Sequence, residues 1–260
     1  MAETNPSPEI RLLPSAEELF HAAAEQFVQQ ATEAVSRSGR FTVALSGGST
    51  PRGLYSVLAG ELRSSIPWKQ TYFFWGDERH VPPDHPESNF RMANEVMLSK
   101  VPVSANNIFR VPAEGKDASE VAAQYEQTMR SFFQLQTGEF PRFDLILLGL
   151  GPDGHTASLF PGTNALRETF RLVVANWIPK FQTHRITVTL PVLNRAACIV
   201  FLVAGADKAN ALHEVLESDA PGEQFPAKLV KPAQGKLLWL VDREAASGLS
   251  KSLEQSTPKI

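Results

Sequence analysis

The sequence predicts an α/β fold built on a doubly wound, mostly parallel sheet. Three observations carry this. Continuously apolar runs of strand length recur, as strands covered on both faces would show: FTVAL at 41–45, DLILL at 144–148 and AACIVFLV at 196–203. Segments with helical apolar spacing alternate with them, which is the pattern of strand–helix–strand crossovers. Glycine-rich or polar loops follow several of the runs directly, where ligands bind in open α/β sheets. At 260 residues the chain has ample length for a sizeable core, and no internal repeat or low-complexity tract is visible.

Bulk properties narrow the function. A hydrophobic fraction of 43% with 20% charged residues describes an ordinary globular chain. The formal net charge of −3 argues against a nucleic-acid partner, which would need a basic face. No apolar stretch approaches the ~20 residues of a membrane helix. The opening MAETNPSPEIRLLPSAEE is neither a signal peptide nor an Arg-rich transit peptide. Cys198 lies within an apolar run and reads as a buried, inert thiol; one cysteine excludes an intrachain disulfide. A reducing, cytoplasmic setting is expected. Residues 1–14 read as a flexible start, 15–246 as a single α/β domain and 247–260 as a tail. The sequence leaves open a monomer or a small homo-oligomer.

In chain order, a short edge strand is expected at 10–13. Ser15 and Glu18 form a capping box for a helix over 16–36, with Leu19, Ala23, Phe27, Ala31 and Ala34 on one face and Gly39 closing it. The strand at 41–45 runs into a glycine loop and a helix over 51–62, with Pro51 in its first turn. A strand at 71–75 is followed by a charged, proline-stiffened loop, and Ser88 caps a helix over 89–98. A short strand is expected at 108–111. A helix over 118–135 presents Val121, Tyr125, Met129, Phe132 and Phe133 on one face. After the strand at 144–148 comes a loop, then a helical turn over 157–160. Strands at 172–176 and 185–190 flank an exposed connection. A turn or short helix at 191–195, a strand at 197–203, a helix over 208–216, a strand at 237–241 and a short helix capped by Asp242 complete the chain.

Three strand ends carry chemistry. After the first comes Ser46-Gly47-Gly48-Ser49-Thr50-Pro51-Arg52-Gly53. A strand, a glycine loop and a helix start make an anion site, because unpaired N–H groups and the helix dipole point to one place. The loop lacks the Gly-Lys-Ser/Thr ending of a Walker A motif and is not GxGxxG, so a small phosphate monoester fits better than a nucleotide. After the second come Asp77, Glu78, Arg79 and His80, and the helix beyond carries Asn89 and Arg91 near its start. After the third comes Gly149-Leu150-Gly151-Pro152-Asp153-Gly154-His155, with Thr156 and Ser158 next. His155 thus follows the carboxyl end of a buried strand. Lys208 stands at a later helix start, where its charge opposes the dipole unless an anion is bound. The histidines lack zinc-site spacing, and no HExxH is present.

This set resembles the glucosamine-6-phosphate isomerase/6-phosphogluconolactonase family, on its lactonase branch. The resemblance spans about residues 12–246. It rests on SGGSTP, WGDERHVPPDHPESNFRMA, DLILLGLGPDGHTASLFPG, RITVTLPVLNRA, AGADKANAL and LLWLVD in that order. It implies a Rossmann-like layout and hydrolysis of 6-phospho-D-glucono-1,5-lactone in the oxidative pentose phosphate pathway. It implies no metal and no cofactor. Carried over, it makes Ser46, Gly47, Gly48, Ser49 and Thr50 the phosphate loop, with Arg185 and Lys208 as cations. His155 and Asp77 become catalytic candidates with Arg79 beside them, and Asp153 takes the place of an acid used by the deaminases. Where that branch has Asn-Glu-Pro, with a glutamate that assists ring opening, this chain has Leu159-Phe160-Pro161. Phe160 cannot transfer protons, which argues against deaminase or isomerase activity.

The residue types suggest how a lactone would be opened. A neutral imidazole at His155 can take a proton from water and return it to the leaving oxygen. Asp77 or Asp153 would hold the tautomer, and the sequence does not choose between them. Arg79 or loop N–H groups would stabilise the oxyanion. Ser158 is a competing nucleophile, but no GxSxG elbow surrounds it.

Overall fold

The computed structural model describes residues 8–250. Its elements in order are β1 (Glu9–Leu13), α1 (Ala16–Ser38), β2 (Phe41–Leu45), α2 (Ser49–Ala59), β3 (Thr71–Trp75), β4 (Asp77–Arg79), α3 (Asn89–Val96), α4 (Ala118–Phe133), β5 (Leu145–Gly149), β6 (Val173–Ile178), β7 (Thr183–Val188), α5 (Leu190–Leu193), β8 (Cys198–Val203), α6 (Ala209–Leu216) and β9 (Lys236–Asp242). The main sheet has six strands in the order β1-β9-β8-β5-β2-β3, all parallel, with helices on both faces. The expected doubly wound α/β class is present.

Local chemistry explains the elements. The α1 cap is Ser15, whose hydroxyl accepts from the Glu18 N–H, and Gly39 closes the helix at φ 74°. Each apolar position read from its spacing is buried. β2 and β8 are buried along their whole lengths, as strands covered on both faces must be. The core runs through the sheet, with Phe201 stacked on Trp239 at 3.8 Å and Phe74 on Phe109 at 4.7 Å. Cys198 is buried, and desolvation pushes its thiol up to about 11, consistent with an inert role.

Several expectations need correction. α2 starts at Ser49 rather than Pro51 and stops at Ala59, because Gly60 ends it. The stretch over 108–111 forms one isolated bridge, Phe73 to Ile108, and no strand. Residues 157–160 form a turn closed by a Thr156–Leu159 bridge, with Ala157 at φ 47°, instead of helix. Asp77–Arg79, read as loop, is a strand. It joins β7 and β6 in a second, antiparallel sheet of order β4-β7-β6 that the sequence reading did not anticipate. β6 extends to Ile178, so the connection to β7 is a tight hairpin tip over 179–182. Residues 9–13, placed in the flexible start with an edge strand at 10–13, pair with β9. The rest of that start up to residue 7, and the tail from residue 251, lie outside the described residues.

Candidate active site

Sheet order brings the site together. β2, β5 and β8 are neighbours. From this centre the chain moves outward in opposite directions, β2 to β3 and β5 through β8 to β9. The crevice where such a reversal occurs, beyond the carboxyl ends of the strands, is the ligand position of open α/β folds. The loops leaving β2, β5 and β8 carry Ser46–Gly48, Gly151–His155 and Lys208.

The first loop has the features of an anion cradle. Gly48 caps α2 at φ 108°, no side chain caps the helix, and its first turn holds no acid. Its first N–H groups therefore lack side-chain partners. The buried Tyr55 hydroxyl fixes the turn by donating to the Ser46 carbonyl at 2.8 Å and accepting from the Ser46 N–H at 3.1 Å. Burial pushes the Tyr55 phenol up. Ser46 Oγ is buried with no hydrogen-bond partner among the described residues. A Cβ at Gly47 would lie 1.8 Å from Asn89 Oδ1, so the glycine is what lets the Asn89 side chain sit against the loop.

The second loop builds an oriented imidazole. The Gly151 N–H donates to the His155 carbonyl at 2.8 Å, and Gly154 turns the chain at φ 75°. The fold brings Asp153 Oδ1 to 2.5 Å from His155 Nδ1. Partial burial would raise the Asp153 carboxyl, but the His155 bond and charge outweigh it and bring it to about 2. Asp153 is thus ionised and can only accept, so Nδ1 carries the hydrogen and Nε2 is left as the basic nitrogen. Phe160 lies flat against the imidazole, with centroids 3.9 Å apart and planes at 18°.

Of the two acids, Asp153 is the one in hydrogen-bond contact with the imidazole. Asp77, buried at the start of β4, accepts from Ser158 Oγ at 2.7 Å and from Asn89 Nδ2, which also donates to the Asp77 carbonyl at 3.0 Å. Ser158 is held as a donor to that carboxylate, opposite to what a nucleophile paired with His155 requires. Glu78, read as part of a charged loop, is 2% exposed. Its carboxylate accepts from the N–H groups of Arg79, Asn89 and Phe90 and from Ser88 Oγ. Burial raises its pKa, with these donors opposing. Arg79 donates to the Glu87 carbonyl at 3.0 Å and faces Arg185 across the β4–β7 pair. Desolvation, then the Arg79 charge, lowers the Arg185 pKa.

The three loops and the start of β4 enclose one cleft of about 260 Å³. Of the sequence candidates, Ser46, Gly47, Gly48, Asp77, Arg79, His155 and Lys208 line it. Ser49, Thr50, Asp153 and Arg185 do not: Ser49 and Thr50 open α2, Asp153 contacts the imidazole, and Arg185 stands beyond Arg79. Asn89 and Thr156 line it without having been assigned there. The signal for Asn89 was its place directly after the Ser88 cap. An apolar groove of about 370 Å³ over Trp239 contains none of these residues. Among the described residues, no group of three His, Cys, Asp or Glu side chains could hold a metal ion, and no helix is long and apolar enough to cross a membrane.

Comparison with known proteins places the chain in a family and a fold. Residues 14–239 match the family described as glucosamine-6-phosphate isomerases/6-phosphogluconolactonase. The chain is 44% identical over 243 residues to the 6-phosphogluconolactonase of Synechocystis sp., covering 94% of this chain and 99% of that protein. It is 42% identical to the Nostoc sp. 6-phosphogluconolactonase, covering 93% and 98%. The solved 6-phosphogluconolactonase of Trypanosoma brucei superposes with a TM-score of 0.82 at 30% identity, over 94% of this chain and 99% of that one. A monomeric glucosamine-6-phosphate deaminase, at 24% identity and a TM-score of 0.76, shares the fold.

Proposed function

The chain belongs to the glucosamine-6-phosphate isomerase/6-phosphogluconolactonase family, and from that premise we propose that it hydrolyses 6-phospho-D-glucono-1,5-lactone to 6-phospho-D-gluconate, with His155 as general base. One observation carries the reading. An imidazole with its tautomer set by an ionised carboxylate shares a 260 Å³ cleft with Lys208 and with the Gly48 N-cap of a helix that no side chain caps.

The lactone phosphate sits against the Ser46–Gly48 turn. The first N–H groups of α2, at Ser49 and Thr50, and Ser46 Oγ donate to it, and Lys208 balances its charge. Arg185 adds positive potential beside Arg79. Anchoring this end fixes the carbonyl over His155 and removes much of the entropic barrier. Nε2 of His155 takes a proton from water as the water oxygen bonds to the carbonyl carbon. Charge builds on the carbonyl oxygen, where Arg79 or loop N–H groups meet it; such a donor is worth about 3 kcal/mol. The tetrahedral intermediate then breaks its ring C–O bond, and the imidazolium returns the proton to the leaving oxygen. The Asp153 carboxylate stabilises the imidazolium in between. Phe160 offers no proton for the sugar ring opening of a deaminase.

A coupled assay on freshly made lactone, with spontaneous opening subtracted, tests this. His155→Ala should lower kcat by roughly 10²–10⁴-fold with a small change in KM. Lys208→Ala should mainly raise KM. Ammonia release from glucosamine 6-phosphate, or wild-type kcat in His155→Ala, would reject the reading.

A further inference from the structure

The Asp153 hydrogen bond fixes one atom of the imidazole and leaves the ring plane free to tilt about it. A base that must meet a water at a defined angle needs a second constraint. Phe160 provides a flat face 3.9 Å from the imidazole. It is 7% exposed and cannot easily move away. The Phe181 ring abuts it edge-on at 5.9 Å and 83°. The imidazole also lies close against Gly151, where a Cβ would lie 1.9 Å from Nδ1.

Phe181 lies at the β6–β7 hairpin tip and is 46% exposed. Lys180 Nζ and the Arg185 guanidinium lie 5.5 and 5.6 Å from its centroid. The same Lys180 Nζ is 3.9 Å from Asp153 Oδ2. The tip therefore touches both halves of the dyad: the carboxylate through Lys180, and the imidazole through Phe181 and Phe160. None of these three residues lines the cleft.

We infer that Phe160 and Phe181 are positioning residues for the His155 imidazole, so that the β6–β7 hairpin tip belongs to the catalytic apparatus although it does not touch substrate. This rests on the reading of His155 as the base. Phe160→Leu keeps an apolar side chain and removes the flat face; Phe160→Tyr keeps the face; Phe181→Ala removes the backing ring at an exposed position. Each is compared with wild type and His155→Ala in kcat, KM and thermal midpoint. The tautomer balance of His155 is read by ¹⁵N NMR of histidine-labelled, ligand-free protein, which does not depend on turnover.

Phe160→Leu should lower kcat by about tenfold with KM within about twofold, and Phe181→Ala should lower kcat by about threefold. Phe160→Tyr should restore most of the rate. The His155 ring signals should shift from one tautomer towards a mixture in Phe160→Leu and Phe181→Ala. If Phe160→Leu does not fold, Phe181→Ala carries the same test. Wild-type ring signals and kcat in a folded Phe181→Ala and Phe160→Leu overturn the inference. If His155→Ala keeps wild-type kcat, the base assignment fails, and the ring signals still decide whether the stack orients the imidazole.

Discussion

Gly151 shows how much one missing methyl can decide. Its φ is not in the left-handed region, and its lack of a side chain matters because the imidazole occupies that space: a Cβ would lie 1.9 Å from His155 Nδ1. Gly149, in the same motif, has nothing within 4 Å of its notional Cβ. Gly151→Ala should therefore lower kcat on the order of 10²-fold by pushing His155 off Asp153. Gly149→Ala should leave kcat near wild type, and steady-state kinetics on the two variants checks the contrast. The motif was legible as a glycine loop presenting a histidine, but nothing in the letters separates its two early glycines. The partner of His155 was equally hidden. Asp153 is only two positions away, yet the contact needs the left-handed turn at Gly154 to fold the pair together.

At the scale of elements, the long apolar runs and the helix caps were readable because each depends on local chemistry. β2 and β3 have the bounds that their composition suggested, and Ser88 caps α3 as expected. β4 was not readable. Three charged residues do not resemble a strand, and β4 exists because β7, far along the chain, pairs with it. Glu78 then has a structural task that a solvated loop would not give it. Its two oxygens collect four donors and tie β4 to the first turn of α3, from which Asn89 reaches Asp77. Glu78→Gln replaces one acceptor oxygen with an amide donor facing N–H groups or a hydroxyl. The buried mismatch should cost about 2–3 kcal/mol, seen as a lower urea midpoint. Because Asn89 and Asp77 line the cleft, KM should rise alongside. Unchanged KM in a destabilised variant would separate the cap from the site.

Over the whole molecule, two buried carboxylates give the fold opposite pH responses. Glu126 on α4 is held by Arg130, Arg171 and the Leu172 and Val173 N–H groups, fastening the helix to the start of β6. Burial would raise its pKa, but these donors outweigh burial and lower it from 4.5. Its stabilisation is present above 4.5 and is lost as the pH falls through that value towards the folded pKa. Asp153, brought to about 2, acts in the same sense, though partial exposure keeps its share small. Glu78 is raised from 4.5, so folding favours its protonated form. Its contribution grows as the pH falls through the raised value and is complete below 4.5. Urea midpoints measured in steps from about pH 7 to pH 3 should resolve the two. Glu126→Gln should lose about 3 kcal/mol at neutral pH, where it weakens a paired buried charge, and should decline less steeply than wild type below 4.5. Glu78→Gln should alter the slope above 4.5 and leave the acid limb intact. An acid limb in Glu126→Gln as steep as that of wild type would show that the loss of stability arises elsewhere, and that the junction of α4 with β6 is not the fold's acid-sensitive joint.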